Sequence, residues 1–491
     1  MPEVRALQLH ALRDDPRAPL VHEMIERALA AVDPGAAVRR HLEWLTPTAL
    51  RVGEVVLDLP IDARIVVVAA GKAAPAMLDA ALEALHAPSA RGPVVPRRID
   101  ALCTAPPTHG PEFARANQPD HSDHSDHPGH GELSIHRHHG GHPLPNAASV
   151  RAGRQALQLA EGLRPTDFLL ALVSGGASAM LCAPREPWTL EGVRALTEFC
   201  LRHPLPIETI NPLRAHVDAI KFGGLAAAAA PARAAALILS DVRGDPPELV
   251  GGGPTRAPGL DEDPEHANAA ERLDALDLLD EFAGTLTRAL ADHGGARDAL
   301  AALHHRIEHP RPSYRPFDGI IASNRDARRA VLDCAKARGY TPVDLGWQLS
   351  GTPHACAREV LTELDRPELG ALFPAPRACA LGGETVVRVR GEGRGGRNLE
   401  LALAIAEALA ATSPSSHRLW LSLATDGLDG NSGLAGAVVT PQTLARAAAA
   451  GIDTRAARDQ SDVASVFEAL GDAIELGATG TNVCDLAVAL D

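Results

Sequence analysis

The sequence predicts an α/β protein of two lobes, each a parallel sheet covered by helices, set around an interdomain cleft. Three observations point there. At least five apolar, β-branched runs end in loops of Gly, Ser, Thr or Asp that precede helical patterns. These units occur in both halves of the chain, on either side of a proline-rich segment, His305 to Pro316, read as a hinge. At 491 residues the chain has room for two to four domains of usual size. Such sheets bind ligands outside the carboxyl ends of their strands, so the loops after the runs are the candidates for chemistry. The expectation is two Rossmann-like lobes, residues 17–310 and 316–491.

Composition removes several function classes. A net charge of -15 without a compensating basic stripe argues against nucleic acid or an anionic membrane as the main partner. Any anion site must be local, built from a few placed Lys and Arg side chains. The 7 cysteines are scattered and include no Cys-x-x-Cys pair, which reads as reduced thiols in a cytoplasmic protein. Charged residues interrupt the first thirty positions, so no signal peptide is apparent, and no apolar stretch reaches membrane-span length.

In chain order, Val21 to Leu45 is amphipathic and reads as helix split at Asp33-Pro34-Gly35. Arg64 to Ala70 is a buried-type strand followed by Gly71-Lys72 and a helix through Leu85. A strand, Gly-Lys and a helix form an anion-type turn, although Ala73 stands where a Walker motif needs Ser or Thr. Lys72 is an anion ligand or a solvated helix-start residue. Residues 104–140 are His-rich and polar and read as a disordered surface insertion, with Zn or Ni binding as the sharper alternative.

Phe168 to Val173 is the next strand, entering Ser174-Gly175-Gly176-Ala177-Ser178. The hydroxyls there suit phosphate oxygens, while a helix N-cap explains Ser174 as well. A helix is expected over Leu213 to Ala230. The strand Ala235 to Ser240 delivers Asp241 at its carboxyl end, where a Mg²⁺ ligand or base would sit and where a turn Asp is also common. Gly319 to Asn324, Pro342 to Gly346 and Leu419 to Ala424 continue the rhythm. The last of these ends in Thr425-Asp426-Gly427, with Asp426 a further candidate Mg²⁺ ligand.

The stretch Gly391 to Asn398 lies between a strand-like run, Glu384 to Arg390, and a helix over Leu399 to Ala411. Glycines in a strand-to-helix turn let a ligand approach the backbone, and the free amides and dipole of the helix start favour an anion. Arg394 and Arg397 add two planar, permanent cations. Gly391-x-Gly393-x-x-Gly396 also satisfies the dinucleotide fingerprint, so an NAD(P)-dependent reductase is the alternative, which the resemblance below would make a hydroxypyruvate reductase. The acid that this fingerprint wants about twenty residues further on is absent: Ser415-Ser416-His417 occupies that distance. Cations, glycine turns and acids on two lobes make a phosphoryl-transfer layout.

Eight motifs occur in order: Ala70-Gly71-Lys72-Ala73-Ala74, Gly141-His142-Pro143-x-Pro145, Val173 to Ser178, Ser240-Asp241-Val242-x-Gly244-Asp245, Gly253-Pro254-Thr255, Gly395-Gly396-Arg397-Asn398-x-Glu400, Ala424 to Gly430, and Thr479-Gly480-Thr481-Asn482-Val483. Together they resemble the glycerate 2-kinases with a C-terminal MOFRL domain, here about residues 376–486. The resemblance implies ATP-dependent phosphorylation of the 2-hydroxyl of D-glycerate, with Mg²⁺, and allows a homodimer. It places catalysis on Lys72, Arg397 and Asp241, and nucleotide contacts on Ser174, Gly175, Gly176, Ser178, Gly395, Gly396, Asn398, Thr425 and Gly427. Mg²⁺ falls to Asp241 and Asp426. The chain departs from the family pattern in its His-rich insertion, at Asn146 where an acid is typical, at Gly251-Gly252 where Ala-Ser is more usual, and at Cys484 where Asn is common.

Overall fold

The computed structural model describes residues 9–89, 92, 95–107, 123–125, 132–202, 214, 217–256, 316–412 and 417–491. The chain divides into two compact units, Pro34–Ile321 and Met1–Asp33 with Ala322–Asp491. The helix Ala18–Ala31, expected in the first lobe, therefore belongs with the C-terminal one, where it packs on the helix Asn324–Ala337. Most of the expected hinge lies outside the described residues.

In the Pro34–Ile321 unit, the helix Pro34–His41 leads into three short antiparallel strands, β1 (Leu42–Trp44), β2 (Ala49–Val52) and β3 (Val55–Asp58). The main sheet comprises β4 (Ile65–Ala70), β5 (Ile99–Ala105), β6 (Asp123–Ser125), β7 (Leu133–His139), β8 (Phe168–Val173), β9 (Arg233–Ser240) and β10 (Phe317–Ser323), in the order β10-β9-β8-β4-β5-β7-β6. β9, β8, β4, β5 and β7 run parallel, and β6 is antiparallel to β7. Every residue of β4, β5 and β8 is buried, as strands covered on both faces require. On one face Val66, Val68, Leu169 and Ala171 meet Ala152, Ala156 and Ala160 of the helix Ala147–Glu161, whose small side chains allow close approach to the sheet.

The other unit carries β11 (Thr341–Leu349), β12 (Arg377–Gly383), β13 (Leu419–Ala424), β14 (Gly436–Val439), β15 (Ala473–Ile474) and β16 (Asp485–Leu490), in the order β11-β12-β16-β13-β14-β15. Only β11 and β12 are parallel; the remaining pairs are antiparallel. The parallel sheet expected here is thus mixed. The apolar C-terminal run inserts in reverse between β12 and β13, and β14 returns beside β13 through a loop without a crossover helix. The helix Arg397–Thr412 lies at the centre of this unit, with Leu401 to Ala406 buried on all sides against Trp420 and Phe467.

Three expectations fail. Glu384 to Arg390 is irregular; its alternating valines find no partner face, leaving Val386 and Val389 69% and 73% exposed. The helix expected over Leu213 to Ala230 is interrupted: Arg214 and Val217 are helical, 218–223 form bridge, bend and turn, and a helix resumes at Gly224–Ala229 behind Gly223, which is in the left-handed region at φ 81. The His-rich segment is not wholly irregular, since Leu133–His139 forms β7 and pairs along its length with β5. The backbone ladder holds that strand despite its polar side chains. The repeat Asp120 to His127 lies mostly outside the described residues.

Candidate active site

β4 and β8 are neighbours in register, Ala70 opposite Val173, so the turns that follow them meet. The Lys72 amide donates to the Gly175 carbonyl at 2.9 Å, and the Ser174 amide donates to the Ala70 carbonyl at 3.0 Å. Gly71 has φ +118, and a β-carbon there would strike the Ser174 carbonyl oxygen at 2.5 Å, so the close approach requires glycine. The Ser174 hydroxyl is fully buried; it accepts from the Ala73 amide at 3.0 Å and donates to the Ala70 carbonyl at 3.4 Å. Its hydrogen bonds tie backbone at the start of the helix Ala74–His86, close to the capping role that was the alternative to a phosphate contact. Lys72 stands half-buried at this junction.

The motif around His142 supplies a residue that sequence reasoning quoted without a role. Gly176 has φ +83, and the place a β-carbon would take is 3.0 Å from the His142 ring. Desolvation, and then the positive charges of Lys72 and Arg214, hold the imidazole below its usual range. Lys72 and Arg214 therefore form a cationic cluster around a neutral ring. Asp241 is half-buried immediately after β9.

The unusual residues of this unit are explained locally. Asn146 caps the helix Ala147–Glu161, accepting from the Ser149 amide at 2.8 Å as an acid would. Gly251 and Gly252 have φ +61 and +79, with their would-be β-carbons 2.6 Å from Val173 and 2.5 Å from Lys221. Ala-Ser would not fit that backbone without displacement.

In the C-terminal unit the site lies where β12 and β13 end and β16 begins. Asp485 pairs with Gly383 on one side and Ala424 on the other. Arg397 lies across it: Nε donates to Asp485 Oδ2 at 2.6 Å, and Nη2 donates to Asp485 Oδ1 at 3.1 Å and to Glu384 Oε1 at 2.8 Å. Burial pushes the Asp485 carboxyl up to about 7 against the pull of Arg397. Burial acts to lower Arg397, and the facing charges of Asp485 and Glu384 overcome it and raise the guanidinium.

The glycine turn itself is filled from within. Asp429 accepts from the Asn398 amide at 3.0 Å and the Leu399 amide at 2.9 Å, and caps the helix that the expected anion would have capped. Burial raises this carboxyl above its ordinary range. Gly396 packs against it, leaving no room for a β-carbon, and the Gly395 amide donates to Asn431 Oδ1 at 2.9 Å. Asn398 is buried and receives the Ser422 hydroxyl at 3.0 Å. Thr425 is buried too, donating to the Cys484 carbonyl at 2.6 Å. Cys484 itself has φ 67, a region that the commoner Asn enters more readily. Gly427 has φ +83 and abuts the Gly477 carbonyl. Asp426 is half-buried and accepts from the Leu428 amide at 3.2 Å.

Lys72 is thus brought together with the Ser174-Gly175-Gly176 turn, and Arg397 with the Thr425 loop through Asp485. The dinucleotide fingerprint loses its context, because β12 ends at Gly383 and Gly391 packs instead against the Gln460 backbone. The sequence reading placed the loop that carries Asp429 beside the Gly396 turn, as the structure does; Glu384 and Asp485 were missed as partners of Arg397. Among the described residues no group of three or more His, Cys, Asp or Glu is arranged to hold a metal ion.

Two family models match the chain: Domain of unknown function (DUF4147) over residues 20–291 and MOFRL family over residues 377–485. A "Glycerate kinase" of Macaca fascicularis is 34% identical over 383 residues, covering 70% of this chain and 93% of its own. A "Putative hydroxypyruvate reductase" of Agrobacterium vitis is also 34% identical, over 71% of this chain and 76% of its own. The "D-glycerate 2-kinase" of Thermotoga maritima is 28% identical over 96% and 97% of the two chains. The crystal structure of glycerate kinase from Thermotoga maritima superposes with a TM-score of 0.72 at 27% identity, covering 96% of this chain and 98% of that one.

Proposed function

The chain belongs to the family built of a DUF4147 region followed by a MOFRL region, and we propose that it is a glycerate kinase transferring the γ-phosphoryl group of ATP to the 2-hydroxyl of D-glycerate. The products are 2-phosphoglycerate and ADP. One observation carries the reading: the turn after β4 presents Lys72 beside the Ser174-Gly175-Gly176 turn, where Lys72 and Arg214 both act on His142. Positive side chains on a glycine-lined floor suit an anionic substrate and a moving phosphoryl group.

In the transfer, the glycerate 2-oxygen bonds to phosphorus while the bond from the γ-phosphorus to its bridging oxygen breaks. The electron pair leaves with ADP, and the hydroxyl proton goes to a base. Lys72 neutralises charge on the phosphoryl oxygens, and in the C-terminal unit Arg397 offers a guanidinium to an anion that competes with Glu384 for it. Asp241 and Asp426 offer the half-buried oxygen ligands that a hard cation such as Mg²⁺ prefers. When bound, Mg²⁺ would neutralise phosphate charge. Seven free, buried thiols fit a reducing, cytoplasmic compartment.

Incubating the protein with D-glycerate and ATP-Mg should release ADP and give 2-phosphoglycerate by phosphorus NMR. A 3-phosphate ester, or no turnover, refutes the assignment. The reductase name of the Agrobacterium vitis relative motivates a parallel assay of NADH consumption with hydroxypyruvate. No consumption is expected, since the glycines of the fingerprint do not join a strand to a helix.

A further inference from the structure

Behind the Gly176 turn, the short helix Ala177–Met180 and the segment before Gly223 enclose a cavity lined by Pro145, Ser178, Thr197, Arg214, Asp218 and Lys221. Its polar groups divide into a closed set and an open one. Lys221 is 1% exposed; its ammonium donates to the Leu181 carbonyl at 2.8 Å and sits 3.2 Å from Asp218 Oδ2. Asp218 Oδ1 is occupied by the Ala183 and Ile220 amides at 2.9 and 3.0 Å. The Thr197 hydroxyl donates to the Val193 carbonyl at 2.8 Å. This pair and this hydroxyl form a neutral, satisfied floor.

The open set is Ser178 and Arg214. The Ser178 hydroxyl is buried without a hydrogen-bond partner among the described residues. A buried hydroxyl left unsatisfied costs about 1–3 kcal/mol, so its retention points to a ligand. Arg214 lines the cavity half-buried; burial works against its charge, and Asp218, which also holds Lys221, works for it. His142 feels both Arg214 and Lys72, so the cavity and the Lys72 turn share one neighbourhood.

We propose that this cavity is the carboxylate subsite: Arg214 and Ser178 bind the carboxylate of a small 2-oxygenated acid, whose hydroxyl end is directed past His142 toward Lys72. A guanidinium fork and a hydroxyl match the two oxygens of one carboxylate, while a single net charge is a poor match for a nucleotide's phosphates. The assignment rests on the glycerate reading above, but it is testable apart from it.

The test compares Arg214→Gln and Ser178→Ala with the wild-type enzyme by steady-state kinetics and by calorimetric titration of D-glycerate without nucleotide. Thermal melting identifies any variant that has not folded. Loss of a charged partner should raise the glycerate KM and Kd about 100-fold for Arg214→Gln, and loss of the hydroxyl about 10-fold for Ser178→Ala, with the ATP KM within about twofold of wild type. Glyceramide, which lacks the charge, should bind the wild type weakly and discriminate little between wild type and Arg214→Gln. A glycerate Kd unchanged in both variants, or a rise confined to the ATP KM, overturns the subsite. If the wild type fails to phosphorylate glycerate, the kinase reading falls, yet the titration still decides whether a three-carbon carboxylate binds here. Should Arg214→Gln not fold, Ser178→Ala alone decides.

Discussion

Two glycine turns in this molecule look alike in sequence and differ in what they do with charge. After β4, Gly71-Lys72 opens a helix, and the positive charges of Lys72 and Arg214 both bear on His142. Before the helix Arg397–Thr412, the chain's own acids occupy the equivalent groups. Asp429 holds the first amides, and Asp485 with Glu384 holds the guanidinium. The first turn is the one proposed above to receive an external anion; the second is largely satisfied internally. A helix N-terminus with adjacent cations is therefore only half of an anion site. Whether a carboxylate of the same protein reaches it first decides the rest.

The largest effect that follows is on stability at the second turn. Arg397→Ala leaves Asp485 buried without its counter-charge, and removing one partner of a buried pair typically costs about 3–5 kcal/mol. The cost should depend on pH. Burial already sets the Asp485 carboxyl up to about 7, above its value in the unfolded chain, and losing Arg397 raises it further. Because the folded value is the higher one, this group's contribution is most favourable below the unfolded value and is lost as pH rises through the folded one. The variant's deficit should be larger near pH 8 than near pH 5, by about 1 kcal/mol, in denaturant titrations. Equal losses at both pH values would show that the pair is not the cause.

At the first turn the prediction reverses. Lys72→Ala should lower kcat by about two to three orders of magnitude, as removal of a preorganised charge usually does, with the melting temperature unchanged. A variant that loses stability in step with activity would erase the contrast between the turns.

Much of this contrast was beyond the reach of the sequence, for a physical reason. Strands buried on both faces announce themselves, and Phe168–Val173 and Leu419–Ala424 lie where their apolar runs put them. Strands held by backbone pairing alone do not, which is why the polar β7 was read as irregular and the alternating Glu384 to Arg390 as a strand. The Lys72 turn was legible because strand, Gly-Lys and helix are contiguous. Asp485 lies 88 residues from Arg397, and Asp429 31 residues from Asn398, so their capture of the second turn is set by topology. The reversed insertion of β16 delivers Asp485, and no local pattern records it.

The smallest predicted effect tests whether the first turn is built as described. If the Ser174 hydroxyl only ties the Ala73 amide to the Ala70 carbonyl, Ser174→Ala strands one buried donor at a cost of about 1–3 kcal/mol. The melting temperature should fall while the ATP KM stays within about twofold of wild type. If the hydroxyl instead serves a phosphate, the order inverts, with the melting temperature held and the ATP KM raised about tenfold or more, the scale of a lost ligand hydrogen bond. The Gly71 backbone decides which outcome to expect. Its positive φ and its contact with the Ser174 carbonyl fix the two turns face to face, and in that arrangement the hydroxyl is enclosed before any nucleotide arrives.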